Sequence, residues 1–420
     1  MAANVVVNES QLPWWKEVSR REWNALGAAF SGYCLDAFDV MVYAFALTTL
    51  LKEWGLTPVE AGFLASITLF TSAVGGVGAG MVSDKIGRKK GILATIVLFT
   101  LFTGFSSMTQ NLIQLAIARG ILGLGMGGQW TAGVLLITET WGDKHRAKAV
   151  GIMQSGWAIG YILAAIAAMY ILPVWGWRAL FFVGVIPGIL LIIWITMAVH
   201  ETEAWKKSRN EVKTQSAGMD FFQIFRGNLL RPTLVITTCS LFFMFAYWGL
   251  FTWLPGFLSM PVEKGGAGLS IVKSSGFMIP TMIGAFIGYV TYGFLADRFG
   301  RRPVFATYLT IGAIMVYFYA STRDITMLMI LGPLVGMFGS GAFAGFGTFA
   351  SESFPTKARG VGVGFTYNMG RMASAASPMI IGYFAEMWGL GSALAITAMG
   401  YFLAGITIFL IPETKGRTIE

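Results

Sequence analysis

The chain is built from long apolar runs separated by short polar segments. We place twelve such runs near residues 23–51, 58–82, 90–108, 111–140, 147–172, 178–199, 230–259, 270–296, 303–321, 326–352, 358–386 and 389–411. Each has roughly the length of about 20 residues that an α-helix needs to cross a hydrocarbon core about 30 Å thick. The pattern predicts an all-α membrane protein with about twelve transmembrane helices.

Composition argues against a soluble fold. Of the 420 residues, 55% are hydrophobic and only 12% are charged, whereas about a quarter of the residues in a soluble domain are charged. The two cysteines, Cys34 and Cys239, each lie inside an apolar run, so we expect neither a disulfide framework nor a metal site. No apolar core precedes the first basic residues, and we expect the first helix to serve as the insertion signal.

The net charge of +9 has a simple explanation in the loops. Basic residues concentrate in alternate loops, and the intervening loops contain only Lys52, Arg178, Lys264, Lys273 and Arg323. Cytoplasmic loops of membrane proteins are enriched in Lys and Arg. The asymmetry predicts a multi-pass protein of the cell inner (plasma) membrane with both termini in the cytoplasm, and no nucleic acid is needed as a partner.

One long polar interruption divides the chain. It predicts an N-terminal six-helix half (1–200), a cytoplasmic linker (201–229) and a C-terminal six-helix half (230–420).

The two halves contain the same motifs at a constant spacing. GMVSDKIGRKK (80–90) matches GFLADRFGRRP (293–303), and the same spacing of 213 positions relates a Glu and an Arg further along each half. The matching residues are Gly80, Asp84, Gly87, Arg88, Glu139 and Arg146 in the first half, and Gly293, Asp297, Gly300, Arg301, Glu352 and Arg359 in the second. Repeats of this kind predict two parallel halves related by an axis along the membrane normal.

The doubled G-x-x-x-D-[KR]-x-G-R-[KR] segment resembles the loops after helices two and eight in the major facilitator superfamily. The resemblance covers essentially the whole chain and implies a monomeric transporter that works by alternating access. In physical terms, Asp84 and Asp297 can cap helix starts and pair with an arginine across the half. The resemblance implies that the repeated residues form a cytoplasmic gate latch, which holds the outward-facing state and does not bind substrate.

Four charged residues within the apolar runs break the repeat. Asp36, Asp39, Arg119 and Arg371 have uncharged residues at the equivalent positions of the other half. An isolated charge at the centre of a membrane helix costs at least about 2.5–3.5 kcal/mol on insertion scales, so such residues are candidates for function. The alternative is a buried ion pair that only holds helices together.

Asp36, Asp39 and Arg119 form the predicted proton-coupling group. Counting residues from the helix starts places Asp39 and Arg119 together in the outer half of the membrane. Asp36 and Asp39 are three residues apart and share a helix face. A carboxylate beside an arginine can alternate between a protonated form and an ion pair, which is the chemistry that a proton symporter needs.

Arg371 lies near the predicted midplane, where its forked, permanently charged guanidinium is suited to a carboxylate. It predicts a small anionic solute. Further polar and aromatic residues are candidates for the same cavity, with ordinary helix packing as the alternative for each: Gln129, Trp130, Gln154, Trp157, Tyr247, Tyr367 and Asn368.

Several segments resemble the sialate and lactate branch of metabolite:proton symporters. They are PWWKEVSRREW, GYCLDAFDV, PVWGWRALFFVGVIPG and GVGFTYNMG. Aromatic-acid and nicotinate symporters share the D-x-x-D pattern of helix one. The resemblance implies proton-coupled uptake of a carboxylate such as lactate, pyruvate, sialate or an aromatic acid, with protons as the coupling ion and no other cofactor. Sialate porters of this branch carry two additional central helices, for which the linker is too short.

Other functions have weaker support in the sequence. PETKGR (412–417) resembles the end of sugar porters, and a drug antiporter of the same fold is a further alternative, although helix five lacks the Gly-Pro signature. A non-transporting sensor would normally carry a large cytoplasmic domain.

The only histidines are His145 and His200, and no motif of an enzyme or zinc site occurs. Gly123-x-Gly125-x-x-Gly128 lies inside an apolar run and indicates close helix packing, not nucleotide binding.

Overall fold

The computed structural model describes residues 14–203, 205–206 and 221–414, without the side chains at positions 80, 84, 143, 144, 146, 147, 221, 356, 357, 359 and 360. Thirteen α-helices and a few short 3₁₀ turns make up most of the described chain, which contains no β-strand. The helices are α1 (Trp14–Glu17), α2 (Arg20–Trp54), α3 (Pro58–Ile86), α4 (Arg88–Met108), α5 (Leu112–Thr140), α6 (Asp143–Ala198), α7 (Leu230–Ser259), α8 (Ile271–Phe299), α9 (Arg301–Ser321), α10 (Ile325–Ser353), α11 (Thr356–Ser374), α12 (Ser377–Trp388) and α13 (Leu390–Thr407).

Ten helical stretches among the described residues are long and apolar enough to span a membrane. One of them, Lys148–Ala198, is 51 residues long and breaks at Gly176, whose φ of 74° is not helical. It therefore makes two passes, as the separate runs at 147–172 and 178–199 predict. The predicted run at 358–386 is divided between α11 and α12, which together make one further pass. The fold of about twelve spans is confirmed.

Local sequence sets several of the helix starts. Ser19 and Glu22 form a capping box at the start of α2, and Thr57 and Glu60 form another at the start of α3. In each box the hydroxyl accepts a backbone N–H and the carboxylate accepts the N–H of the capping residue, so two otherwise unpaired donors are satisfied.

The repeated motif forms the same turn in both halves. Gly87 joins α3 to α4 with φ 106°, and Gly300 joins α8 to α9 with φ 105°. These φ values favour glycine because a side chain would clash with the backbone. We call the side of the molecule that carries these two turns the latch face.

Close glycine packing builds each half. A Cβ added to Gly123 would collide with the backbone of Thr68 on α3, and one added to Gly336 would collide with the backbone of Thr281 on α8. Gly123 and Gly336 are equivalent positions of the repeat. The interpretation of Gly123-x-Gly125-x-x-Gly128 as a helix-packing stripe is confirmed, since small residues let membrane helices approach closely.

Helices of the two halves meet directly at the face opposite the latch face. Ser259 on α7 donates a hydrogen bond to Thr48 Oγ1 on α2 (3.3 Å), and the backbone N–H of Val59 on α3 donates to Glu386 on α12 (3.2 Å). The predicted residue boundaries between the halves stay a prediction, because most of the linker (207–220) lies outside the described residues.

Candidate substrate cavity and intramembrane charges

A cavity of about 820 Å³ lies between the two halves. The end of the cavity towards the latch face is lined by Thr138 and Gly151 of the first half and by Thr348 and Ser351 of the second half. Its inner wall is mainly aromatic and is formed by Tyr33, Trp130, Trp157, Tyr247, Trp248, Tyr289, Phe343 and Tyr367, together with Gln154 and Arg371. An apolar, ring-lined cavity with few polar groups is the usual form of a small-molecule site.

Aromatic contacts connect the halves across this cavity. Trp130 on α5 stacks on Tyr367 on α11, and its indole N–H donates to Gln154 Oε1 (2.9 Å). On the neighbouring wall, Trp157 Nε1 on α6 donates to the hydroxyl of Tyr247 on α7 (2.8 Å). These contacts hold five of the predicted substrate residues at the cavity surface.

Arg371 is the positive charge of the cavity. It is only 6% exposed, and its Nε has no hydrogen-bond partner among the described residues. Asp36 on α2 lies within electrostatic range, and neither of its carboxyl oxygens has a hydrogen-bond partner in the part of the chain that the structure describes. The residues come from different halves, so a carboxyl and a guanidinium with unused hydrogen-bonding capacity interact electrostatically across the boundary, with Arg371 at the cavity surface.

Asp39 and Arg119 form a second charged group. Arg119 Nη1 donates to the backbone carbonyl of Asp39 (3.2 Å), and its guanidinium lies 4.8 Å from the centre of the Tyr43 ring. Asp39 is 2% exposed and Arg119 is 1% exposed. The two residues meet, as their positions along the helices predict, although the hydrogen bond goes to the backbone of Asp39 and not to its carboxyl group.

The predicted proton-coupling group is divided between these two places. Asp36 lies towards Arg371 on α11, whereas Asp39 lies among α4, α5 and α6 of its own half. A spacing of three residues leaves about 60° between two side chains on a helix. At the boundary between the halves, that angle is enough to direct them to different neighbours.

Two predicted substrate residues do not line the cavity. Gln129 is fully buried within the first half, where its Oε1 accepts a hydrogen bond from Thr95 (2.9 Å). Asn368 Nδ2 donates to the carbonyl of Gly364 on its own helix (2.9 Å). Gln129 directly precedes the lining residue Trp130, and Asn368 directly follows the lining residue Tyr367. Adjacent residues of a helix point about 100° apart. The sequence neighbours Trp130 and Tyr367 therefore occupy the cavity instead.

Several lining residues are absent from the sequence prediction: Tyr33, Trp248, Tyr289 and Phe343. Phe343 was detectable, because it lies 213 positions after Trp130 and is its equivalent in the repeat. Tyr33, Trp248 and Tyr289 have no comparable signal.

The repeated motif forms an ionic cluster within the first half. Arg88 pairs with Glu139 (2.7 Å), which also accepts a hydrogen bond from the hydroxyl of Thr202 (2.6 Å). Glu201 accepts the backbone N–H of Arg88 (2.7 Å) at the start of α4. An acidic side chain at this position satisfies free N–H groups and interacts favourably with the helix dipole.

The second half repeats this cluster. Arg301 interacts with Glu352 (3.4 Å) and with Asp297, Thr414 donates to Glu352 (2.6 Å), and Glu413 accepts the backbone N–H of Arg301 (2.9 Å). The surroundings of Gly80 and the side chains of Asp84, Arg146 and Arg359 lie outside the described residues.

The motif prediction did not include the threonines and acids that complete these clusters. The sequence nevertheless contains a shared Glu-Thr pair after the last helix of each half, in H-E-T at 200–202 and P-E-T at 412–414. In both clusters the contacts stay within one half and join two of its helices to the segment that follows its last helix.

Comparison with known proteins is consistent with this geometry. A sequence model of the Major Facilitator Superfamily matches residues 29–291 and 274–419. The chain is 32% identical to the cis,cis-muconate transport protein of Acinetobacter baylyi over 400 residues, which cover 92% of this chain and 93% of the relative. It is 29% identical to the sialic acid transporter NanX of Escherichia coli, over 92% of this chain and 93% of the relative. These relatives agree with the branch that the four sequence segments resemble.

The fold is similar to solved transporter structures. The inward-open xylose transporter XylE from E. coli superimposes with a TM-score of 0.75 at 19% identity, covering 95% of this chain and 98% of XylE. At this identity the likeness concerns the fold alone. Because the family match extends over nearly the whole sequence, the chain belongs to the major facilitator superfamily and is a membrane transporter, not an enzyme.

Proposed function

We propose that the chain is a proton-coupled symporter that imports a small organic anion across the plasma membrane. The observation that carries this proposal is that Arg371 lines the cavity with Asp36 within electrostatic range, both with unused hydrogen-bonding capacity. A guanidinium binds carboxylates through two parallel hydrogen bonds. A neutral solute would leave the charge of Arg371 without a carboxylate partner other than Asp36.

The walls favour a flat acid among the carboxylates. Trp130, Tyr367, Tyr33 and Trp157 line the cavity as two pairs of rings in contact, and aromatic rings pack well against planar, unsaturated or aromatic molecules. Relatives named for muconate, niacin, benzoate and gentisate support this class. Lactate and pyruvate have no ring, and the ring of sialate is saturated and not planar. These acids serve as comparison solutes.

The same pair explains how an anion and a proton are coupled. In the empty site, an ionised Asp36 would partly offset the charge of Arg371 without a direct hydrogen bond to it. When the substrate carboxylate takes the N–H groups of Arg371, Asp36 loses its counter-charge in a medium of low dielectric constant, where an isolated charge is costly. A proton then binds to the carboxylate of Asp36. Substrate and proton enter together, and release of the substrate restores the electrostatic interaction between Asp36 and Arg371 as the proton leaves.

The structure corresponds to the inward-facing state under the predicted orientation. The cavity extends towards the latch face, which the distribution of basic residues predicts to be cytoplasmic. At the opposite face, Thr48 contacts Ser259 and Val59 contacts Glu386 across the halves. Alternating access would separate these contacts and close the latch face around the substrate, with the monomer as the working unit.

The test uses the purified protein in liposomes that contain a pH-sensitive dye. Benzoate, nicotinate, muconate, lactate and sialate are added outside, with benzamide, nicotinamide and xylose as neutral counterparts. We expect acidification of the lumen with at least one acid, beyond that of protein-free liposomes, and none with its amide. Exchange of xylose or an amide together with no response to any acid would contradict the proposal.

A further inference from the structure

A group of polar side chains surrounds Asp39 on the side away from the cavity. Thr100 and Thr103 of α4 are 3% and 1% exposed, and neither residue lines the cavity. The hydroxyl of Thr103 lies within interaction range of the Asp39 carboxyl group. Asp39 Oδ1 and both threonine hydroxyls have no hydrogen-bond partner in the described part of the chain. Three unused polar groups thus lie together in the interior of the first half.

Neither threonine hydroxyl is bonded to a carbonyl of its own helix, which is unusual for α4. Thr95, Ser106 and Ser107 on the same helix each donate to a backbone carbonyl three or four residues earlier, at 2.6–2.8 Å. This is the ordinary way to satisfy a hydroxyl in an apolar helix. Leaving a buried hydroxyl without a partner costs free energy, so the exceptions at Thr100 and Thr103 require a reason.

Two glycines of α6 cover this group. A Cβ added to Gly184 would lie 2.9 Å from Asp39 Oδ1, and one added to Gly188 would collide with the hydroxyl of Thr100. The glycines are four residues apart and lie on one helix face. The α6 backbone therefore closes over Asp39 and both threonines, and the absence of side chains leaves the carboxyl group its room.

Arg119 can donate to Asp39 but cannot accept its acidic proton. A guanidinium has N–H donors and no acceptor, so it stabilises the carboxylate but cannot accept the O–H of the carboxylic acid. A hydroxyl both donates and accepts. Because Asp39 is buried, a protonated carboxyl group needs such an acceptor close by, and Thr103 is the hydroxyl beside it.

We propose that Thr103 is a positioning residue that serves Asp39 in both protonation states. When Asp39 is ionised, the Thr103 hydroxyl donates to it beside Arg119. When a proton binds, the carboxyl O–H donates to Thr103 Oγ1, and the hydroxyl hydrogen turns to the helix carbonyl four residues earlier. Gly184 preserves the space for this exchange. The inference rests on the proposed proton coupling and adds a second protonation site to that of Asp36.

The experiment compares Thr103→Val, which removes the hydroxyl at constant shape, with Thr103→Ser, which retains it. Ser106→Ala is the matched control, because that hydroxyl is on the same helix and is already bonded to Phe102 O. Two quantities are measured in liposomes: substrate accumulation driven by a pH gradient, and counterflow exchange of labelled substrate without a gradient. We expect Thr103→Val to lose about tenfold in driven accumulation while exchange is retained, with Thr103→Ser and Ser106→Ala close to wild type.

Gly184→Ala provides a second test, with Gly78→Ala as its control because a Cβ at Gly78 meets nothing within 4 Å. We expect Gly184→Ala to reduce driven accumulation more than exchange. Wild-type coupling in both Thr103→Val and Gly184→Ala would overturn the inference, as would equal loss of accumulation and exchange in Thr103→Val. Absence of proton movement in the wild-type protein would instead refute the proposed function, so the two failures are distinguishable.

Discussion

The indole ring of Trp130 stacks on the phenol ring of Tyr367, with centroids 5.1 Å apart and 12° between the ring planes. Trp130 lies on α5 of the first half and Tyr367 on α11 of the second. The pair therefore crosses the boundary along which the halves must move, and it forms part of the cavity wall.

We expect Tyr367→Leu to raise the KM for a flat acid by about three- to tenfold, because an aromatic pair contributes beyond its buried area. Tyr367→Phe retains the ring and serves as the control, with a KM close to wild type. Initial uptake rates in liposomes measure the effect. Equal KM values for Leu, Phe and wild type would show that the ring does not contact the solute.

Replacing Arg371 tests the anion site. Arg371→Gln keeps a polar side chain but removes the charge, and we expect substrate affinity to fall roughly a hundredfold because a charge-assisted pair is lost. Arg371→Lys retains the charge without the two parallel N–H donors of the guanidinium, and its substrate affinity should fall less than that of Arg371→Gln. Binding is measured by calorimetry with purified protein. Unchanged affinity in Arg371→Gln would place the anion elsewhere.

Asp36→Asn tests the proposed proton site within electrostatic range of Arg371. The amide has a similar shape but cannot bind and release a proton at this position, so exchange of labelled substrate should persist while accumulation driven by a pH gradient is lost. Lumenal acidification and counterflow are measured on the same preparation. If Asp36→Asn still acidified the lumen, Asp36 would not be the coupling residue.

The contact between Thr48 and Ser259 gives a conformational test. Their hydroxyl oxygens are 3.3 Å apart across the halves, so cysteines at both positions should form a disulfide under mild oxidation. The cross-link should stop transport because the outer face cannot open, and a reductant should restore it. Each single cysteine variant is the control. Full transport by the cross-linked protein would mean that this contact does not separate during the cycle.

Glu201 and Glu413, whose carboxylates accept backbone N–H groups at the starts of α4 and α9, are expected to stabilise the fold. Glu201→Gln and Glu413→Gln each weaken a contact with free backbone N–H groups, and we expect each to cost about 0.5–1 kcal/mol. Thermal unfolding in detergent should show a lower Tm for both variants. Glu263→Gln, on an exposed 3₁₀ turn, is a control without such a contact. A drop in only one of the two variants would mean that the halves differ in this feature.

Much of the architecture follows from local properties of the sequence. The apolar run lengths predict the spans because the membrane has a fixed thickness, and the break at Gly176 falls between the two predicted helices. The repeat predicts the paired turns at Gly87 and Gly300. The four asymmetric charges are visible in the sequence because isolated charges are rare in an apolar helix.

The partners of these charges were decided only by the tertiary structure. Asp36 interacts electrostatically with Arg371 and Asp39 lies with Arg119, although the sequence placed both acids in one group. Gln129 turns into the first half while its neighbour Trp130 faces the cavity. A helical pattern defines faces only in steps of about 100° per residue. Which face meets the other half depends on how the helices rotate and pack, and that is set by contacts between residues far apart in the chain.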